Sequence, residues 1–424
     1  MKTYHKLIAL VFLGVLFSGC NEINDGVESS FKEDACLVND KTKTEKKNGK
    51  AYTVNFFMET SGSMNGFMSK KGTEFQKDIW ALINLLDGNY PSGLSLFQVE
   101  AKGEPIKSST MSDFRDKLNV GDFNIAQSTD IPEILDSILL KTNDNQVSIF
   151  VSDLIFAPSS GTNASLLQIS SDIYKRFSNK KYASVIYQFK SKFYNSKSKI
   201  VSESSPYYVW MIGPEEGLKT VAAQLRSALP SDYNEVTFGV SSDQPKYTIL
   251  PHVDEAVNAI PVLCQNNQLY YCYGAFDDSE GSKIILNIAL NLDDLSKNDR
   301  EPASLMANFS NIGTDAKIKL ESITPLPVLK NTEDQKLAKR ISATHFLKME
   351  VDQIYNEVAT LEMNFKAKRQ DWISDSNLDV DDYQRNKTLG LSKMIAGLEK
   401  AYGSPSNGLL FKAPFKILIT KNDL

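Results

Sequence analysis

Histidine is nearly absent from this chain, with three in 424 residues, and cysteine is almost as scarce, with four. No two cysteines are spaced as Cys-x-x-Cys, so the ligand set of a His/Cys zinc site is missing. His5 falls within residues 1–19, read below as a cleaved signal peptide. His252 and His345 have no sequence neighbour that would make either a convincing catalytic base, so both read as structural. There is no Gly-x-Ser-x-Gly elbow, no Walker loop and no His-Glu-x-x-His. A metal-assisted hydrolase would need a general base beside its site, and Glu59 is the one candidate. The acidic pairs Asp277-Asp278 and Asp293-Asp294 fall in expected turns, where Asp bonds its own backbone. Basic residues do not exceed acidic ones, 47 against 52, so no positive field points to nucleic acid. No internal repeat is evident.

What is present is ordinary globular material. The chain is 42% apolar and 10% aromatic, and long enough for two domains with real cores. The N-terminus stands apart. Lys2 and Lys6 precede an apolar run from Leu7 to Phe17, too short to span a membrane comfortably, and Ser18-Gly19-Cys20 follows. Leu16-Phe17-Ser18-Gly19-Cys20 resembles the lipobox of bacterial lipoproteins, with Phe17 where Leu is usual. The resemblance implies that residues 1–19 are a signal peptide and that Cys20 is lipidated after cleavage. Two or more acyl chains hold a protein stably on a membrane. Asn21-Glu22-Ile23-Asn24-Asp25 resembles the acidic surface-export signal of Bacteroidetes lipoproteins. The expected address is the bacterial cell envelope, anchored at the outer membrane on its periplasmic side or at the cell surface. Residues 20–50 are polar and charged without apolar periodicity, and read as the lipidated cysteine and a flexible tether.

The folded part begins near Tyr52. Val54 to Met58 is an apolar run of strand length, and it stops in Glu59-Thr60-Ser61-Gly62-Ser63. Helical spacing follows at Phe75, Ile79, Ile83 and Leu86. Leu94 to Val99 reads as a strand, and Pro105 to Ser109 as an edge strand. A helix is expected from Ile131 to Leu139, with Thr129 or Asp130 as its cap and Pro132 in its first turn. Val147 to Val151 is a second apolar strand, ending in Ser152-Asp153. A helix over 165–177, strands over 183–189 and 207–211 and a helix over 215–229 complete residues 51–230, with 190–206 a polar excursion read as a hairpin extension. Strand alternating with helix predicts a mostly parallel sheet covered on both faces.

These pieces resemble a von Willebrand factor A domain, the integrin-I-type Rossmann-like α/β fold. Its metal-ion-dependent adhesion site uses an Asp-x-Ser-x-Ser turn after the first strand, a Thr before a later helix and an Asp after the fourth strand. The matching positions are Glu59, Ser61 and Ser63, then Thr129, then Asp153, in the family's order. The resemblance implies a bound divalent cation, Mg²⁺ first, with Mn²⁺ or Ca²⁺ open, and an acidic residue of a protein partner completing its shell. Oxygen-only ligands suit such hard cations. Glu59 departs from the family's Asp. Its extra methylene crowds the ion, which Mg²⁺ tolerates less than Ca²⁺.

From 231 to 424 short strands with regular turn signals predict a β-rich, sandwich-like domain. An amphipathic stripe at Leu391, Met394, Ile395 and Leu398 and a final strand over 414–420 are the last features. Asp375-Ser376-Asn377-Leu378-Asp379 resembles the opening of an EF-hand loop, but Val380 stands where that loop needs Gly and Asn386 where it needs Glu. Cys264 and Cys272 leave a disulfide and buried thiols both open. The whole reads as a lipid-anchored, non-enzymatic module that binds protein through a divalent metal. The alternative is an envelope scaffold whose site is degenerate and metal-free.

Overall fold

The computed structural model describes residues 51–99, 107–121, 123, 130–155, 162–226, 228–230, 232–240, 242–253, 259–264, 268–274, 284–380, 384–403 and 408–420. Residues 1–50, read above as a signal peptide, Cys20 and a tether, and Thr129 therefore lie outside the described residues. In the first half the chain forms β1 (Thr53–Glu59), α1 (Asn65–Met68), α2 (Glu74–Asn89), β2 (Leu94–Val99), β3 (Lys107–Ser109), α3 (Met111–Val120) and α4 (Ile131–Leu140). It continues as β4 (Gln146–Ser152), α5 (Thr162–Phe177), β5 (Ala183–Tyr194), β6 (Ile200–Gly213), α6 (Glu215–Leu225) and β7 (Asn234–Phe238).

The seven strands make one sheet in the order β3-β2-β1-β4-β6-β5-β7. β1 is an inner strand, paired on both edges, and its side chains leave alternately towards two cores. Val54, Phe56 and Met58 pack with Phe75, Ile79 and Phe114 of α2 and α3. Phe57 packs on the opposite face with Ile134, Leu135 and Ile173 of α4 and α5. Burial on both faces is why this strand reads as a continuous apolar run rather than an alternating one.

The expected mostly parallel Rossmann-like sheet of the von Willebrand factor A type is not what the chain builds. Only β2, β1 and β4 run parallel to one another. β3, β6, β5 and β7 all join by antiparallel pairing. The cause lies in 190–206. A parallel neighbour needs a crossover of a dozen or more residues, usually a helix. Here β5 runs directly into β6 through a tight turn. Asn195 accepts at its side chain from the amides of Lys197 and Lys199, at 3.0 Å each, and Ser198 takes φ 56°. A second correction concerns 234–238. These residues pair with β5 at the edge of this sheet rather than opening the β-rich half.

The second half continues with β8 (Lys246–Ile249), β9 (Ile260–Cys264), β10 (Leu269–Gly274), β11 (Ile284–Asn291), α7 (Pro302–Asn308), β12 (Phe309–Asn311), β13 (Ala316–Pro325) and α8 (Thr332–Arg340). Then come β14 (His345–Ile354), β15 (Val358–Phe365), α9 (Asp371–Asp375), β16 (Asn377–Leu378), β17 (Thr388–Leu389), α10 (Leu391–Tyr402) and β18 (Phe415–Thr420). Two sheets, β12-β15-β18-β10-β9 and β13-β14-β11-β8, share one apolar core that includes Leu286, Ile288, Leu347, Met363, Phe365 and Ile417. Cys264 is disulfide-bonded, whereas Cys272 is a buried thiol 3.9 Å from the Val262 carbonyl, so the two do not pair with each other.

Residues 371–402 leave this second core and return to the first sheet. Trp372, Leu389, Leu391, Met394, Ile395 and Leu398 pack with Phe57, Ile131 and Ile173. The helical stripe read from the sequence is therefore buried against the other half of the chain. Gly397 permits the close crossing of α10 on α5, because a Cβ there would sit 2.7 Å from the Ser170 carbonyl oxygen. The joint between the halves is also polar. Glu235, at 0% exposure, takes Arg226 Nη2 at 3.0 Å and the Lys297 amide at 2.8 Å.

Candidate functional site

The register of β1 and β4 brings the two carboxylates together. The strands run parallel with Met58 opposite Val151, so their next residues, Glu59 and Ser152, emerge side by side at the carboxyl end of the sheet. Open α/β sheets bind ligands at that end. Glu59 and Ser152 are both fully buried, and the Ser152 hydroxyl donates to Glu59 Oε2. Ser152 Oγ in turn accepts from the Leu154 amide at 2.7 Å. Leu154 is buried and takes φ 52°, a conformation that costs about 1–3 kcal/mol for such a residue. This turn aims Asp153 away from the strand.

Asp153 is 2% exposed. Its Oδ1 accepts from the Ile155 amide at 3.1 Å, while Oδ2 is buried with no hydrogen-bond partner among the described residues. Burial pushes its carboxyl above the usual range, against the Ile155 amide, the Ser63 hydroxyl and the Arg385 guanidinium, which all favour the charged form.

The turn after β1 supplies the hydroxyls. Ser61 Oγ and Ser63 Oγ lie 2.8 Å apart. The Met64 amide donates to the Ser61 carbonyl at 3.1 Å, which closes the turn. The Thr60 hydroxyl donates to the Val99 carbonyl at 3.1 Å and pins the turn to the end of β2. Ser61 is buried; Ser63 is half-buried and Gly62 exposed, so solvent reaches the cluster from their side.

Four of the five residues singled out from the sequence thus gather at one end of the sheet. Ser61, Ser63 and Asp153 form one group, and Glu59 joins through Ser152. Thr129 lies outside the described residues. Asp130 beside it is the cap of α4, accepting from the Glu133 amide at 3.3 Å. His252 pairs with Glu333 at 3.0 Å and His345 Nδ1 meets Thr344 Oγ1 at 2.8 Å, both in the second half of the chain.

Three contributors went unread in the sequence. Ser152 had a signal, a hydroxyl directly before the strand-end acid. Thr388 and Arg385 had none, because they come from the returning C-terminal segment. Thr388 Oγ1 donates to the Asp153 carbonyl at 3.3 Å and accepts from the Tyr208 hydroxyl at 3.0 Å. The Arg385 guanidinium lies 4.7 Å from the centre of the Phe193 ring. That ring covers Gly66, where a Cβ would fall 2.1 Å from Phe193 Cζ.

Among the described residues no group of three or more His, Cys, Asp or Glu side chains forms a metal-binding cluster. The donors here are instead two carboxylates and several hydroxyls. An oxygen-only set with a buried carboxylate oxygen that has no hydrogen bond among the described residues fits a hard divalent cation. Comparison with family models, with curated proteins and with solved structures found no match.

Proposed function

We propose that this chain is an exported envelope lipoprotein, anchored through Cys20, that binds a protein partner by way of a divalent cation at the Glu59–Ser61–Ser63–Asp153 cluster. The observation that carries the reading is Asp153 Oδ2, a buried carboxylate oxygen without a hydrogen-bond partner among the described residues. Burying an acceptor without a partner costs free energy, and a bound cation would recover it.

In this reading Asp153 Oδ2, Ser61 and Ser63 hold the ion, with Thr129 as a further candidate. Ser152 keeps the Glu59 carboxylate at the edge of the site. The Leu154 turn fixes the direction of Asp153. The bound ion would supply a strong positive charge that attracts an acidic residue of the partner from the Gly62–Ser63 side. Mg²⁺, Mn²⁺ and Ca²⁺ are the candidate ions, and the long Glu59 side chain favours the more tolerant Ca²⁺ geometry over the tight octahedron of Mg²⁺.

One observation favours the second reading, a metal-free scaffold: Arg385 already sets a positive charge near Asp153. Calorimetric titration of the purified chain with each cation decides between them. The metal reading expects saturable binding that S61A weakens and D153N abolishes. Absence of binding to a folded wild-type chain would leave the scaffold.

A further inference from the structure

Cys264 ends β9 and is disulfide-bonded, yet Cys272, the other described cysteine, is a buried thiol. The chain has four cysteines, so the partner within it is Cys20 or Cys36. Among the described residues β9 is the edge strand of its sheet, whereas β10 lies between β18 and β9. Cys272 stands on β10 opposite Val262, enclosed by strands on both sides. Cys264 stands opposite Leu269 at the mouth of the β9–β10 turn, where its carbonyl accepts from the Gln268 amide at 2.8 Å. A second segment can reach Cys264 from that edge without parting two paired strands. Cys264 is only 1% exposed, so its partner's sulfur also leaves water. Cys36 suits such a place. It stands in Ala35-Cys36-Leu37-Val38, the one run of adjacent apolar residues between 21 and 50, while Cys20 is flanked by Gly19 and Asn21.

We propose that Cys36 and Cys264 form a disulfide within the chain, which brings the membrane arm into the fold at β9 instead of β1. This rests on the lipoprotein reading given above, in which lipid occupies the Cys20 thiol. Formation of the bond breaks two S–H bonds and makes one S–S bond. The two electrons and two protons pass to a disulfide oxidoreductase of the envelope, whose own disulfide is reduced to two thiols. Such a bond forms after export, in an oxidising compartment. Cys36 lies 16 residues beyond Cys20, and Thr53, where β1 begins, lies 33 beyond it. The arm between lipid and fold therefore reaches at most about 55 Å rather than about 110 Å, at about 3.4 Å per residue. The pull of the membrane is borne by the second half at β9, and residues 37–52 carry none of it. β1 and its Glu59 turn are thus unloaded, while the β9 edge is held towards the lipid surface.

The test is a non-reducing peptide map of the wild-type protein, extracted from membranes in detergent with its thiols alkylated first. Trypsin leaves Cys264 and Cys272 on one peptide, 247–283, so chymotrypsin is added to cut at Tyr270 or Tyr271. The expected map joins the Cys36 peptide to the Cys264 peptide, with Cys20 on a lipid-bearing peptide and a monomer on a non-reducing gel. A Cys20–Cys264 pair overturns the proposal together with the lipid anchor. Cys36 recovered alkylated, or a Cys264 bond between two chains, overturns the proposal, and a lipid-bearing Cys20 peptide in the same map leaves the anchor standing. A second measurement reads the path of the pull. A specific protease site is inserted between Lys46 and Lys47, and membranes carrying the protein are treated with that protease. The wild-type cysteine set is expected to keep the cut protein on the membrane until dithiothreitol is added, whereas C36S is expected to be released at once. Equal release of both without reductant would overturn the proposal.

Discussion

Thr388 donates its hydroxyl to the main-chain carbonyl of Asp153 at 3.3 Å across a sequence separation of 235 residues. The candidate site is thus built by both halves of the chain, one supplying the acid and the other tying down its backbone. Thr388 is fully buried, and the Tyr208 hydroxyl depends on it as an acceptor. Thr388→Val keeps the shape but leaves that buried hydroxyl donor unsatisfied. It should cost about 1–3 kcal/mol in urea unfolding. A loss within a few tenths of a kcal/mol would mean that the bridge contributes little.

Two glycines in helices separate packing from propensity. Gly397→Ala drives a methyl against the Ser170 carbonyl and Ile173, at 2.7 and 2.8 Å, and should destabilise by about 1–3 kcal/mol as α10 moves off α5. Gly88→Ala, near the end of α2, meets nothing within 4 Å and should stabilise by up to about 1 kcal/mol. Thermal unfolding of the two variants should therefore shift in opposite directions. A shift of the same sign would refute the close crossing at Gly397.

Beside the joint between the halves, Arg226 and Glu235 of the first half form an ion pair whose carboxylate is fully buried. Arg226→Met would leave the Glu235 carboxylate inside without its counter-charge and should cost about 3–5 kcal/mol. Adding Glu235→Gln in the same chain removes the stranded charge and should recover part of the loss. Equal instability of single and double variants, read by denaturant midpoints, would assign the cost to lost packing instead.

A pH effect is expected from the cavity of about 550 Å³ that lies between the halves, lined in part by Phe238, Asp299, Arg369, Glu399 and Tyr402. Asp299 is pushed up to about 6, first by burial and further by the nearby Glu235, although Ser296 and Gln370 both bond it. The folded state thus holds this proton more tightly than the unfolded chain. Its contribution to stability is complete below about pH 4 and is lost as pH rises through about 6, by of order 2–3 kcal/mol. The stability of wild type relative to D299N should fall across that window. A flat difference would show that Asp299 ionises normally.

Much of the first half was legible because its signals are local. The apolar run of β1, the amphipathic α2 and the Asp130-Pro132 start of α4 each follow from neighbouring residues. Strand direction was not legible. The exception is the hairpin over 190–206, read from its polar excursion and built as the antiparallel β5–β6 pair; strand-length apolar runs elsewhere carry no mark of parallel or antiparallel pairing, so the antiparallel joins of β6 to β4 and of β7 to β5 could not be read. The helix α8, with sequence TEDQKLAKR, escaped notice because Leu337 and Ala338 are its only apolar residues, too few to make a periodic stripe. Its start is instead written in the Asn331 cap and in acids at the first turn with bases at the last. At the site, Glu59, Ser61, Ser63 and Asp153 were legible as strand-end residues. Thr388 and Arg385 were not, because only the tertiary return of residues 371–402 brings them there.

The most direct test of the account is thermal unfolding of the lipid-free chain with and without excess Mg²⁺, Mn²⁺ or Ca²⁺, for wild type beside D153N. A ligand of the native state must raise its melting temperature with concentration. Asp153 is a buried acid whose proton is already held more tightly than usual, so Asn is a near-neutral replacement for the fold. The account expects a concentration-dependent rise with at least one of the three ions in wild type and none in D153N. Identical melting of wild type with and without every ion, or an equal rise in D153N, would contradict it.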